Sequence, residues 1–582
     1  MTEKLKKLRE LMASRGLDAY LQPVHDEWMS EYPPSCNRRV EWLTGFSGSA
    51  GLAVVLADKA AMFVDGRYTL QAANQVSADY VVLNSADVTP HDWLKQQLPQ
   101  SAKIANTFKI GFDPKLYTKA MLHKFKNFSV VATENLIDKL WQDRPPVPAT
   151  SIFAHDVKYS GVEAADKRQK VAEEIKKAGA DALFISMPEN VCWLLNIRAR
   201  DTENTPLCLA FAIIDSDASV QLFVDAASID EKLHLGGNVK VCLPSSLADE
   251  LRGFSQKTML LDTQATSMFV TELCRNADVN MMSGTDPCTL LKAIKNPVEI
   301  AGIGRAHIRD GAAVAKLLCW LKKQESVTEL EVVDKLLLMR MQNELFLEPS
   351  FDTIAGSGAH GAIVHYRATP ESNRTLQKGE LFLLDSGGQY FDGTTDITRT
   401  VAIGEPTPEH KDRFTRVLKG HIALAQAVFP EGTAGSQLDA LARQYLWQAG
   451  IDYDHGTGHG VGCFLGVHEG PQRIGKRGGD APLAVGMVIS NEPGYYKEGQ
   501  YGIRIENLVT VEEKSSVKNG KKFFGFATLT CVPIDTRLVD AAMLTDSEKK
   551  WLNDYHAWVQ AELSPQLDND EKEWLARVCA QV

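Results

Sequence analysis

No two of the ten cysteines form a CxxC pair; they stand singly from Cys36 to Cys579. That spacing excludes a thiolate zinc site and argues against a disulfide framework, leaving buried free thiols as the expectation. No stretch reaches the ~18 uncharged residues that a membrane span needs. The opening TEKLKKLRELMASRG has the charge and period of an amphipathic helix and lacks an apolar signal core, so no membrane partner and a cytoplasmic protein are expected. There is no run of like charge: 63 Lys and Arg are interspersed with 74 Asp and Glu, for a net charge of -11, which speaks against a nucleic-acid partner. What is present is ordinary globular usage, 44% hydrophobic and 24% charged. A chain of 582 residues is too long for one hydrophobic core.

The chain repeats itself weakly. LKKLRELMASRG runs into LDAYLQP, and DKRQKVAEEIKKAG into ADALFISMP, each an amphipathic helix closed by a glycine (Gly16, Gly179) and followed by a short apolar strand. LAVVLADKAAMFVD and LAFAIIDSDASVQLFVD read as strand pairs broken by Asp-bearing turns. Between the copies, the prolines of DRPPVPATS force extended backbone and mark a boundary. From Lys295 a long helix is expected, with Pro297 in its first turn where a missing amide does no harm. SVTE at 326–329 has the form of a capping box opening a second helix. Helices followed by β-rich hairpins then occur twice, the last strand running to about Asp535, which predicts a pseudo-symmetric α+β domain after two α/β domains. Domains are placed at 1–145, 146–294 and 295–535, with a helical extension over 536–582 whose Trp551, Tyr555 and Trp558 are packing residues.

Four segments carry the chemistry. In DSGGQYFDGTTD, Asp385 closes one strand and Asp396 opens another, with Asp392-Gly393 as the hairpin turn. DHGTGHGVG reads as a glycine loop around His455 and His459; it lacks the Lys-Ser/Thr pair of a phosphate loop. ISNEPGYY puts Glu492 at a strand end. In YGIRIENLVTV, Arg504 and Glu506 share one face and Ile503 and Ile505 the other. Four carboxylates and one imidazole at apolar strand ends form a hard, oxygen-rich set able to hold two divalent ions, which could activate a water for hydrolysis. Manganese is the preferred metal, with cobalt, zinc and iron as alternatives.

The order Asp385, Asp396, GTGHGVG, EPGYY and RIEN resembles the creatinase, prolidase and methionine aminopeptidase family with its pita-bread catalytic fold. SEYPPSCNRRVEWLTGFSGSAG, VDGRY and CWLLNIRARDTENTP are similar to the two creatinase-like N-terminal domains of its three-domain aminopeptidase P branch. The resemblance implies that Asp385 binds one metal, that His459 and Glu492 bind the other, and that Asp396 and Glu506 bridge both. It also implies that Glu492 is the general base, that His365, His455 and His468 are catalytic and bind substrate, and that Arg504 supports the metal ligands or the substrate. The implied activity is hydrolysis of the N-terminal residue from Xaa-Pro peptides by a hydroxide bridging the two metals, in a homodimer. A prolidase and a non-catalytic pita-bread binding protein are the alternatives. His25, His307 and His360 are read as structural.

Overall fold

The computed structural model describes residues 1–98, 107–478, 480–514 and 520–582. The chain divides into two compact units. One comprises Met1–His155, Val162–Glu203 and Leu207–Thr289; the other comprises Asp156–Gly161, Asn204–Pro206 and Leu290–Val582.

The first unit holds two six-stranded sheets of one topology. The first runs, edge to edge, Val81–Asn84, Ala60–Val64, Leu52–Leu56, Ala19–Pro23, Lys109–Phe112, Ser129–Ala132; the second runs Val239–Cys242, Val220–Phe223, Phe211–Asp215, Ala182–Ile185, Thr258–Asp262, Asn280–Gly284. In each, the first strand in sequence pairs antiparallel with the next, the meander continues antiparallel, and the remaining neighbours are parallel. This is the duplication read from the two helix–glycine–strand units: helices Glu3–Ser14 and Ala164–Ala178 precede the equivalent strands, with Gly16 and Gly179 at φ 63° and 78°. Strand alternation sends Tyr20 to one face, beside Leu5, Leu8 and Met12 of the first helix, and Ala19 and Leu21 to the other, beside Trp93 and Leu94. All ten cysteines are buried and free.

The second unit repeats a simpler plan. Helices Pro297–Lys322 and Glu329–Arg340 lead into an antiparallel sheet of Ile354–Ser357, Leu381–Ser386 and Ile397–Ala402. Helices Pro408–Ala425 and Asp439–Trp447 lead into Gly458–Gly460, Val488–Asn491 and Asn507–Lys514, a sheet widened by three further strands. Asn296 and Glu299 form the capping box of the long helix, with Pro297 in its first turn as expected. The next box is shifted from its expected place: Thr328 caps and Glu331 reciprocates. Glu329 is instead fully buried and accepts from the Ser357 amide, the Tyr366 hydroxyl and His360 Nδ1.

The last strand, Phe523–Thr528, stops short of Asp535. The segment beyond it is held from outside the sheet, because buried Arg399 donates to the carbonyls of Val532 and Pro533 and to the Tyr555 hydroxyl. Tyr555 lies on the tail helix Asp546–Leu563 and Trp551 stacks on it, in keeping with a packing role. Among the described residues, no helix is long and apolar enough to cross a membrane.

Candidate metal centre

The two halves of the second unit place acids at matching points. In the first, the middle strand carries Asp385, the chain makes a hairpin excursion, and Asp396 directly precedes the third strand; in the second, Glu492 follows the middle strand and Glu506 precedes the third. The turn of the first excursion is Phe391-Asp392, since Gly393 already pairs with Tyr390. Asp392 is buried and held by Arg309 and Arg305. Gly393 is required here because a Cβ would sit 2.8 Å from Ile303 Cα on the long helix. The histidine segment is only partly a loop. His459 sits in the short strand Gly458–Gly460, and a Cβ on Gly458 would meet the Ser490 carbonyl at 2.0 Å, so glycine lets the neighbouring strand close in.

Ligand atoms of Asp396, His459 and Glu506 lie within 4.8 Å of one another. His459 Nε2 is 3.4 Å from Asp396 Oδ2 and 3.6 Å from Glu492 Oε1. The His459 Nδ1–H donates to the Gly460 carbonyl at 3.0 Å, which turns Nε2 toward the acids. Ser490 Oγ accepts from the His459 amide and donates to Glu492 at 3.3 Å, joining the two side chains. Asp385 Oδ2 accepts from Arg504 at 2.6 Å and Glu506 Oε2 from the Thr398 hydroxyl at 2.7 Å, whereas Asp385 Oδ1 and Glu506 Oε1 are buried without a hydrogen-bond partner. Two buried carboxylate oxygens lacking donors, beside further acids and one imidazole, suit divalent cations.

Protonation tells the same story. Burial pushes Asp385 up to about 6, with Arg504 pulling it down and Asp396 adding repulsion. Burial also raises Glu492, against the pull of His459. Burial and then the charges of Asp396, Glu492 and Asp385 lift Glu506 well above the carboxylate range. Burial alone would lower His459, but its hydrogen bond to Asp396 and the charge of Glu492 raise it to about 9. Without a cation Asp385, Glu492 and Glu506 hold a proton to higher pH than free carboxylates do, and His459 to higher pH than a free imidazole, so a divalent ion would compete with these protons.

The remaining expected site residues fall into place unequally. The rings of His468 and His459 meet edge-on at 4.3 Å. His365, half-buried, follows Val364, whose carbonyl accepts from Arg504. His455 donates from Nδ1 to the Gly456 carbonyl and accepts at Nε2 from the Tyr496 hydroxyl, 2.8 Å in each case. Arg504 is fully buried and donates to Asp385, Tyr496, Thr398 and Val364. Its guanidinium is therefore engaged with Asp385 inside the fold. Arg504 and Glu506 meet the same Thr398 hydroxyl, as their shared face implies, although the strand is interrupted between them. His25, His307 and His360 each bond within the fold, to the Leu116 carbonyl, the Ile303 carbonyl and Glu329. Thr398, Ser490 and Tyr496 were not picked out from the sequence; Tyr496 lies in the EPGYY motif, but no local pattern marks the other two.

Comparison with known proteins agrees with this architecture. A model of metallopeptidase family M24 matches residues 301–513, models of the creatinase/prolidase N-terminal domain match 4–140 and 143–299, and a model of the C-terminal region of that peptidase family matches 522–582. A probable Xaa-Pro aminopeptidase P of Laccaria bicolor is 42% identical over 100% of this chain and 93% of its own, and aminopeptidase P2 of Arabidopsis thaliana is 39% identical over 98% and 87%. The solved X-prolyl aminopeptidase from Caenorhabditis elegans, described as a cytosolic enzyme with a di-nuclear active site, superposes with a TM-score of 0.95 at 36% identity over 100% of both chains. The prolidase from Pyrococcus horikoshii OT3 covers 64% of this chain and 99% of its own, at 27% identity and a TM-score of 0.51. With acids delivered in pairs by two matching halves, two creatinase-type domains earlier in the sequence, and relatives of this identity along its whole length, this chain belongs to metallopeptidase family M24.

Proposed function

We propose that the chain is an Xaa-Pro aminopeptidase, removing the N-terminal residue from peptides with proline in second position. The observation that carries this reading is the likeness to a solved X-prolyl aminopeptidase over the whole of both chains, where the prolidase extends over only 64% of this one. In this reading Asp385 would hold one divalent ion, His459 and Glu492 a second, and Asp396 and Glu506 would serve both; the two oxygens without donors and the close approach of His459 to Asp396 and Glu492 support ligand roles for these residues. Two such ions would bring the pKa of a shared water toward neutrality and polarise the scissile carbonyl. Manganese fits a set of many oxygens and one nitrogen.

Glu492, oriented by Ser490, takes the proton of the attacking water and returns it to the departing proline nitrogen. His468, against His459, and His365 are the imidazoles that donate to the carbonyl oxygen as its charge grows. His455 has both ring nitrogens occupied and acts through Tyr496 on Arg504, and so on Asp385. Proline needs a dedicated site because its ring fixes φ and removes the amide hydrogen that extended-backbone proteases read. A cytoplasmic homodimer is our reading of the assembly, the location supported by the description of the nematode relative.

The test is release of the first residue from an Xaa-Pro-Xaa tripeptide and an Xaa-Pro dipeptide, with manganese, with chelator, and with Asp396→Ala. Metal-dependent tripeptide cleavage abolished in the variant is the expected result. Cleavage of the dipeptide alone would make the chain a prolidase, and no cleavage by metal-loaded protein would make it a binding protein.

A further inference from the structure

We propose that Asp310 and His421 are equivalent positioning residues, each clamping from a helix the two chain segments that carry one half's pair of acids; the inference rests on the metal-centre reading above. Asp310 lies thirteen residues past Pro297 in the long helix Pro297–Lys322, and His421 lies thirteen residues past Pro408 in the helix Pro408–Ala425. Both side chains are fully buried. An apolar residue would fill such a position at lower desolvation cost, so a polar one in each half calls for a reason.

The partners supply it. Asp310 accepts from the Thr395 hydroxyl at 2.6 Å, from the Tyr390 hydroxyl at 3.0 Å, and from Arg340 Nε and Nη2 at 2.6 and 3.1 Å. Arg340 also donates to Ser386 Oγ at 3.0 Å. Ser386 directly follows Asp385 and Thr395 directly precedes Asp396, so the Asp310–Arg340 pair closes the gap where the two strands part into the hairpin excursion. In the other half, His421 donates from Nδ1 to the Asn491 carbonyl at 3.1 Å and accepts at Nε2 from the Asn507 amide at 3.3 Å. The Asn491 side chain returns a bond to the His421 carbonyl at 2.9 Å. Asn491 directly precedes Glu492, and Asn507 directly follows Glu506.

The two clamps use different chemistry and grip from opposite sides, inside the excursion in one half and outside it in the other. Each nevertheless joins a neighbour of one acid to a neighbour of its mate. That joint sets the separation of the acids, on which a two-ion site depends, and groups that orient metal ligands in this way typically matter ~10–100-fold in metal affinity.

Manganese(II) chloride titrated calorimetrically into the metal-free full-length chain tests this. Asp310→Asn and His421→Phe are expected to bind about 10–100-fold more weakly than wild type. Leu317→Ala and Leu418→Ala, fully buried on the same two helices, are expected to lower thermal stability and leave affinity unchanged. Where a clamp variant does not fold, Ser386→Ala and Asn507→Ala cut one link of each clamp and should still weaken binding several-fold. Wild-type affinity in the folded clamp variants, or equal weakening in the leucine controls, overturns the proposal. Failure of wild-type protein to take up manganese would instead bring down the metal-centre reading, and this inference with it.

Discussion

Removing the metal while varying pH probes the electrostatics of the acid cluster. Asp385 moves from 3.8 to about 6 on folding without a cation, a difference of about two units, or about 3 kcal/mol at ~1.4 kcal/mol per unit. The folded state holds this proton more tightly, so the metal-free protein loses that stability as pH rises from about 4 to about 6 and does not recover it above. Glu492 and Glu506 are raised in the same sense and add to the loss. His459, raised from 6.5 to about 9, contributes stability that is fully present below 6.5 and lost as pH rises through 9, again about 3 kcal/mol.

Loaded with metal, the site needs ionised acids and a neutral imidazole, so protons compete with the ions and stability from binding grows with pH. The gap between loaded and metal-free thermal midpoints should therefore widen from pH ~4.5 to ~9. For a unit of about 300 residues, at an unfolding entropy of ~2.1 cal/mol/K per residue, about 3 kcal/mol from one such group corresponds to roughly 5 °C. Differential scanning calorimetry with manganese or chelator gives both curves, and taking their difference cancels titrations elsewhere in the chain. A gap that does not change with pH would refute the reasoning.

Tyr496→Phe breaks the link from Arg504 to His455 and is expected to lower kcat about tenfold with a smaller change in KM, read from steady-state tripeptide kinetics. Arg399→Met leaves the buried carbonyls of Glu506, Val532 and Pro533 without their donor and should cost about 3–5 kcal/mol in urea unfolding, with Tyr555→Phe costing about 1–3. Gly302→Ala sets a Cβ 2.3 Å from the Asp392 carbonyl oxygen and should cost about 1–3 kcal/mol, seen as a lower thermal midpoint.

The parts of the fold that could be read from sequence are those written in local pattern. Periodicity, capping and glycine stops are interactions within a few residues, so the duplicated helix–strand unit and the long helix at Pro297 could be read directly. Asp385, Asp396, His459, Glu492 and Glu506, which the fold gathers into one acid cluster, could be picked out because each stands in a short motif and their order along the chain is distinctive. Boundaries were less legible. The capping box moved to Thr328 because Glu329 is drawn into the interior by Ser357, His360 and Tyr366, partners up to 37 residues away. The final strand ended early because Arg399, over 130 residues distant, takes the carbonyls that a sheet would have used. Asp310 and His421 carry no local signature at all; only the folded helices bring them to their partners.

The division of the acids between two halves has a consequence for biosynthesis. When Ala402 has left the ribosome, Asp385 and Asp396 are available but His459, Glu492 and Glu506 are not yet all made, and a pair of carboxylates alone holds a divalent ion weakly. Arg399 then waits for Glu506, for the Val532 and Pro533 carbonyls and for Tyr555 of the tail helix before its own neighbourhood is complete. On the ligand set proposed above, the full complement of ligands for divalent ions is thereby deferred to the closing stage of translation, and a nascent chain cannot assemble it until nearly all of it has emerged.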